Sequence, residues 1–321
     1  MSQPPIPTFV QDDLARVDDI ILERISAQSA VIRAAGDSVV GSAGKRLRAA
    51  LTLLSAHMGH YDLGRVIHAA AAVELIHSAS LVHDDLIDEA ERRRGLAAIR
   101  TRWNSDVALM VGDYLFALAA SEMALAPDPR IIAYFSQAVM TICEGELAPV
   151  TSLTPASQAV EQYMYKIGCK TAALFEAGCK AGLVCGGGTQ EQVDALGRFG
   201  YDLGLAFQIV DDLLDMVGDA ALLGRPVGRD LREGTITLPL IHAVASGADP
   251  RLSALIDQEA PDDAAIAWAI SEIQRVGGDA SAMAEAHRFA ARALTHLRLF
   301  PNSAARQATE MLVAYAVERA H

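Results

Sequence analysis

The sequence predicts an all-α protein, a single large helical bundle spanning residues 1–321 as one domain. Three observations lead there. Apolar residues recur at three- and four-residue steps nearly throughout, the period of a helix with a buried face. Alanine, the strongest helix former, is abundant, while aromatics make up only 5%. No convincing run of alternating β-branched residues of strand length appears. Hydrophobic residues are 51% and charged residues 21% of the 321 positions, so the chain can bury a large core.

Charge and punctuation exclude several classes. A formal charge of −13 argues against nucleic acid and against an electrostatically held membrane surface. Cys143, Cys169, Cys179 and Cys185 show no metal-ligand spacing and read as buried reduced thiols of a cytoplasmic protein. The start, M-S-Q-P-P-I-P-T-F-V, lacks the basic and apolar regions of a signal peptide. No uninterrupted apolar run reaches about 18 residues, so no transmembrane segment is predicted.

Taken in order, a Pro-rich lead precedes a helix over Thr8 to Arg33, whose Val17, Ile20, Ile21 and Ile25 mark one apolar face. That face caps the bundle or meets a second subunit. Gly36 to Gly44 reads as a small-residue loop, and Lys45, Arg46 and Arg48 then open a helix. Cations in a first turn oppose the helix dipole unless an anion sits there. Helices follow over Leu47 to Met58 and Leu63 to Glu91, the arginine run Arg92–Arg94 stopping at Gly95. A helix over Ser105 to Leu125 is broken by P-D-P, and the next runs to about Val150 with E-G-E in it. After Pro155 a helix carries Lys166 and Lys170 four residues apart, a pair that repels itself without a nearby anion. Gln192 to Met216 is a long helix, and G-R-P-V-G-R-D-L-R-E-G-T-I-T-L-P-L after it is a loop. From Leu238 onward the pattern is helical and reads as packing.

The chemistry lies in two stretches. In H-D-D-L-I-D-E-A-E-R-R-R-G, Asp84 and Asp88 stack one turn apart and Asp85 sits about 100° round the helix. In F-Q-I-V-D-D-L-L-D, Asp211, Asp212 and Asp215 repeat the spacing. A lone acidic triad is ordinarily a solvated helix face. Two of them inside apolar runs need cations, and all-oxygen ligands suit Mg²⁺, which completes its shell with water and substrate phosphates. The natural geometry is two helices facing across a cavity with a metal-bound diphosphate between them. His77 lies two turns before Asp84 on nearly the same face. Arg93 and Arg94 can reach two different diphosphates with bidentate geometry.

In these motifs the chain resembles the trans-polyprenyl diphosphate synthases, the head-to-tail prenyltransferases, over about residues 10–320. They are G-K-R-L-R (44–48), L-V-H-D-D-L-I-D-E-A-E-R-R-R-G (81–95), G-D (112–113), K-T-A-A-L-F (170–175), F-Q-I-V-D-D-L-L-D (207–215) and G-R-D-L-R-E-G-T-I-T-L-P (228–239). Within the family it looks most like the bacterial octaprenyl and related long-chain synthases that make quinone side chains. The resemblance implies the isoprenoid synthase fold, helices around a deep cavity, in a homodimer. It implies that Lys45, Arg48, His77 and Arg94 bind isopentenyl diphosphate. The six aspartates would hold Mg²⁺ on an allylic diphosphate, also contacted by Arg93, Lys170, Thr171, Gln208 and Arg225; Lys170 joins the aspartates in the catalytic set. The chain departs from the family pattern at Arg225 and Thr235, where lysine is common, and at Pro149, where long-chain members tend to have glutamine.

Chain length is expected to follow bulk above the first triad. Ala79 and Ser80 are small where short-product members often place an aromatic, which predicts a C40 to C50 product. Ala117, Ala119, Ala120 and Ser121 read as close helix packing rather than as tunnel wall. The alternatives are a shorter-chain synthase of farnesyl or geranylgeranyl type and a non-catalytic partner subunit. The second aspartate triad argues against a terpene cyclase, and no D-x-x-E-D cluster marks a head-to-head synthase.

Overall fold

A computed structural model describes residues 3–25, 29–41, 45–93, 96–217, 227–258 and 260–319. Among them the chain forms α1 (Thr8–Arg24), α2 (Ala30–Gly41), α3 (Leu47–His57) and α4 (Leu63–Ile87). A two-residue antiparallel pair follows, β1 (Arg92–Arg93) on β2 (Leu96–Ala97), with Arg93 opposite Leu96. Then come α5 (Ile99–Arg102), α6 (Ser105–Leu125), α7 (Arg130–Glu146) and α8 (Ala156–Ile167). A wide π turn, Gly168–Ala172, joins α8 to α9 (Ala173–Cys185), ahead of the long α10 (Gln190–Val217). The rest is α11 (Arg229–Arg232), α12 (Leu238–Ala245), α13 (Arg251–Leu255), α14 (Asp263–Arg275), α15 (Gly278–His296) and α16 (Ala304–Glu318).

Two helices organise the packing. α4 starts where the Asp62 side chain accepts the Gly64 N–H at 2.9 Å, the usual device for satisfying a first-turn donor. Its residues from Ala69 to Ile76 are all buried, and a helix apolar on every side belongs in a core. It packs on α3 and α6, while α10 packs on α9 and α15. α4 and α6 are long and apolar enough to cross a membrane by length and composition alone; α4 lies within the core and α6 rests one face on it.

Several sequence expectations need correction. The helix expected over Thr8 to Arg33 is two, α1 and α2, and the Gly36 to Gly44 loop is helical through Gly41. Gly36 marks a close approach rather than a loop: a Cβ there would lie 2.4 Å from Ile25 Cγ2. α4 ends at Ile87, not Glu91, capped by Asp88 and followed by Glu89 at φ 50°. α7 ends at Glu146, short of Val150, as a chain approaching Pro149 must. The stretch expected to be a loop after α10 contains α11. Cys169, Cys179 and Cys185 are buried as expected, but Cys143 is exposed on α7. Burial pushes the Cys179 and Cys185 thiols up to about 12, so they are inert packing groups.

Candidate active site

The first aspartate triad sits in the last turn of α4. Unpaired carbonyls give a helix C-terminus a partial negative charge, so three carboxylates there require cations. Each has one. Asp84 lies 3.5 Å from Lys170 Nζ, which also meets Glu146 at 2.7 Å. Asp85 accepts from Arg93 Nε at 2.7 and 2.8 Å and from Arg93 Nη2 at 2.7 Å. Asp88 lies 3.8 Å from Arg229. The chain turn after α4 has a purpose in this: β1 carries Arg93 back over Asp85. Burial raises the Asp84 and Asp85 carboxyls against the lowering pull of Lys170 and Arg93. Burial works against the charge of Lys170, but Asp84 and Glu146 hold it up. The anion that the Lys166–Lys170 pair calls for is thus the protein's own carboxylates, at Lys170.

The second triad ends α10 and is balanced differently. Asp212 accepts from Tyr163 Oη at 2.6 Å and Gln208 Nε2 at 2.8 Å, and Thr171 Oγ1 donates to Gln208 Oε1 at 2.6 Å. Burial pushes Asp212 well up, against those hydrogen bonds. Asp215 Oδ2 accepts the Asp230 N–H at 3.0 Å and its carbonyl accepts the Gly228 N–H at 2.7 Å. This aspartate therefore pins the returning chain at α11. Asp211 lies 3.4 Å from Arg319, whose other amine donates to the Phe207 carbonyl at 2.6 Å.

Two pairs of adjacent residues bind one triad to the other. Lys170 meets Asp84 while Thr171 reaches Asp212 through Gln208; Arg229 meets Asp88 while the Asp230 amide meets Asp215. Lys170 and Thr171 stand on the π turn, a distortion found often at functional sites. The two acidic helix ends therefore face one another.

Comparison with known proteins agrees with this geometry. Residues 29–273 match the sequence pattern of the polyprenyl synthetase family. The chain belongs to the polyprenyl synthetase family. The heptaprenyl diphosphate synthase component 2 of Geobacillus stearothermophilus is 36% identical, covering 97% of both chains. The octaprenyl diphosphate synthase of Haemophilus influenzae is 33% identical over 99% of this chain and 98% of its own. A short chain isoprenyl diphosphate synthase of Methanothermobacter thermautotrophicus is 34% identical over 97% and 99%. Among solved structures, a Caulobacter crescentus polyprenyl synthase complexed with calcium and isoprenyl diphosphate superposes with a TM-score of 0.92, at 33% identity and 99% and 98% coverage. The fold is that of the isoprenoid synthases, and the chain is a prenyl diphosphate synthase.

The other expected synthase residues fall around this centre. Lys45 pairs with the Tyr315 hydroxyl and lies 5.2 Å from that ring's centroid. The Arg48 guanidinium lies 4.8 Å from the Phe175 ring centroid. His77, Asp85 and Arg93 share a cleft of ≈ 50 Å³ with Glu74, Ser78 and Leu81. Arg94 and Arg225 lie outside the described residues. Ala79 is fully buried and Ser80 donates to the His77 carbonyl at 2.9 Å; neither lines the cleft, which instead takes Ser78, Leu81 and Val82 from this helix. Of the small residues on α6, Ala119 is in the core, whereas Ala117, Ala120 and Ser121 are exposed. The G-D motif has a packing role at Gly112, where a Cβ would lie 2.1 Å from His83 Nε2. Thr235 meets the loop through its backbone, donating its N–H to the Asp230 carbonyl at 2.7 Å, and Pro149 is exposed.

Sequence reasoning missed Tyr163, Glu146, Arg229, Tyr315 and Arg319. Glu146 and Arg229 stood inside noted motifs, E-G-E and G-R-D. Tyr163 gave no signal, since its tie to Asp212 is purely tertiary. The segment after Leu238 is not packing alone, because α16 brings Tyr315 to Lys45 and Arg319 follows it to Asp211.

The donor set fits a hard divalent cation. All the carboxylates are oxygen donors, and burial raises Asp84, Asp85 and Asp212, the state a cation relieves. Among the described residues no three acidic, His or Cys side chains converge into a cage. A cation that takes one or two carboxylates and fills its shell from phosphate and water needs none.

Proposed function

We propose that this chain, as one catalytic domain over residues 1–321, is a Mg²⁺-dependent trans-prenyltransferase. It condenses isopentenyl diphosphate head to tail with an allylic diphosphate, giving all-trans products of C40 to C50 for quinone side chains. The observation that carries the reading is the pair of aspartate triads, with Asp85, Asp212 and Asp215 buried, tied face to face through Lys170–Thr171 and Arg229–Asp230.

The six aspartates Asp84, Asp85, Asp88, Asp211, Asp212 and Asp215 would hold the Mg²⁺, which when bound stabilises negative charge on a leaving diphosphate as a Lewis acid. Lys170, Arg93, Thr171, Gln208 and Arg225 hold the allylic diphosphate while its C1–O bond breaks. Lys45, Arg48, His77 and Arg94 hold isopentenyl diphosphate with its double bond toward C1, where the new bond forms. Lys170 and Arg93 exchange their carboxylate partners for phosphate oxygens as the substrate enters. Among the described residues no side chain at the centre is assigned as a general base, so the released diphosphate takes the proton. The apolar walls from Leu81 and Val82 exclude the water that would quench an allylic cation.

The long-chain relatives, the octaprenyl diphosphate synthase of H. influenzae among them, support the long product. A homodimer is supported by the outward face of α6, where Leu109, Met110 and Leu125 are exposed beside Ile132 and Met140 of α7. Four free thiols suit a cytoplasmic enzyme. A second reading, a subunit that needs a partner, is favoured by the component 2 name of the G. stearothermophilus relative.

The test is product analysis on the purified chain with Mg²⁺, farnesyl diphosphate and labelled isopentenyl diphosphate. Products of C40 to C50 are expected, and Ala79→Phe should shorten them while costing about 1–3 kcal/mol through overpacking of a filled site. Products ending at C15 or C20 would overturn the chain length and keep the reaction. No elongation by the chain alone would turn the reading to a partnered subunit.

A further inference from the structure

The basic run that opens α3 holds three cations, and its middle member is engaged away from the other two. Arg46 is the N-cap of α3 with left-handed backbone, φ 49° and ψ 34°, and its side chain makes no cap. For a residue with a β-carbon that conformation costs roughly 1–2 kcal/mol, so something must hold it. The cap arrives from another helix. Glu74 on α4 reaches across, and its Oε1 accepts the Ala49 N–H at 2.9 Å. Its Oε2 lies 3.5 Å from Arg46 Nη1, and Arg46 Nε meets Asp18 Oδ1 of α1 at 2.7 Å. Arg46 is 9% exposed and Glu74 4%. Three helices meet at one guanidinium, and a carboxylate stands at a helix N-terminus, where it is favoured.

We propose that Glu74 and Arg46 are positioning residues for isopentenyl diphosphate, setting the distance between the two segments that grip it. The proposal rests on the reading of Lys45, Arg48 and His77 as its ligands. His77 lies one turn beyond Glu74 on α4, and both line the same cleft. Lys45 and Arg48 flank Arg46 in the turn that the Glu74 carboxylate caps. One carboxylate thus fixes both halves of the grip. Removing either member of a buried ion pair leaves the other charge uncompensated, the turn relaxes, and the cations drift from His77. Arg46 acts through this clamp and not through the substrate, although its place in the run is that of a ligand.

Steady-state kinetics of the full chain test this, with Lys45→Ala and Arg48→Ala beside Glu74→Gln, Arg46→Ala and the double variant. Glu74→Gln and Arg46→Ala should each raise KM for isopentenyl diphosphate about 10-fold, with kcat and the allylic KM within about 3-fold. The double variant should be no worse than the worse single one, because both changes open the same clamp. Additive effects would put Arg46 on the substrate and overturn the proposal. So would equal rises in both KM values, or lowered melting temperature with unchanged KM. If Glu74→Gln does not fold, Asp18→Asn loosens the same guanidinium from its exposed side and should raise the same KM about 3-fold; no rise would overturn the proposal. Should Lys45→Ala and Arg48→Ala leave that KM unchanged, the ligand reading itself fails. Should they raise it while Glu74→Gln and Arg46→Ala do not, only the clamp fails.

Discussion

The triads at the ends of α4 and α10 share one sequence spacing but are balanced by opposite means. At the end of α4 every carboxylate faces a long cationic side chain, Lys170, Arg93 or Arg229. At the end of α10 Asp212 is held by neutral donors, Tyr163 and Gln208, and Asp215 accepts the Asp230 amide. Swinging cations can exchange a carboxylate for a phosphate, so the first triad is built to rearrange. Neutral hydrogen bonds fix a carboxylate without cancelling its charge, so Asp212 keeps a charge for an arriving cation to meet. The same spacing therefore yields one helix end ringed by mobile cations and one whose central carboxylate, Asp212, rests on neutral donors.

Substitutions at the aspartates should sharpen this contrast most. Asp85→Asn and Asp212→Asn should each lower kcat/KM by about 10²–10³, the scale for losing one charge-stabilising group. In urea unfolding they should part: Asp85→Asn leaves Arg93 one neutral acceptor in place of a bidentate counter-charge and destabilises, whereas Asp212→Asn removes a buried charge held by neutral donors and leaves stability equal or higher. A matching loss in both would break the comparison. Lys170→Ala comes next, since it leaves Asp84 facing Glu146. A fall in kcat of about 10²-fold is expected, with a stability loss near 1–2 kcal/mol because the lysine is partly exposed. Tyr163→Phe should cost about 1–2 kcal/mol of unfolding free energy, the loss of one buried hydrogen bond to a carboxylate. Arg319→Ala, which removes the cation beside Asp211, should cost about 1 kcal/mol.

The aspartates were legible because their spacing is local: three residues within one helical turn declare a shared face without knowledge of the fold. The long helices were legible for the same reason. What balances each carboxylate was not. Arg93 returns to Asp85 only because the chain turns at Glu89 into a two-residue hairpin, and the arginine run looked like a helix end. Tyr163 and Arg319 are 49 and 108 positions from their aspartates, and nothing in local periodicity records such a meeting. Gly36 read as a loop residue, although it serves helix packing against Ile25, because a glycine required by a neighbour's side chain looks in sequence like one required by a turn. The chain-length expectation at Ala79 rested on side-chain size, while the cleft beside that helix is walled by Ser78, Leu81 and Val82.

The π turn at Gly168–Ala172 has a consequence for how this chain can be altered. A π turn holds an extra residue, so deleting one residue there would give an uninterrupted α-helix through Lys166 and Leu174, with better backbone geometry. It would also rotate one side of the segment by about 100° against the other. Lys170 and Thr171, neighbours that serve opposite triads, would lose that division of labour. Selection for thermal robustness alone would favour the smoother helix, so a directed-evolution campaign scored only on melting temperature should discard this turn and catalysis with it.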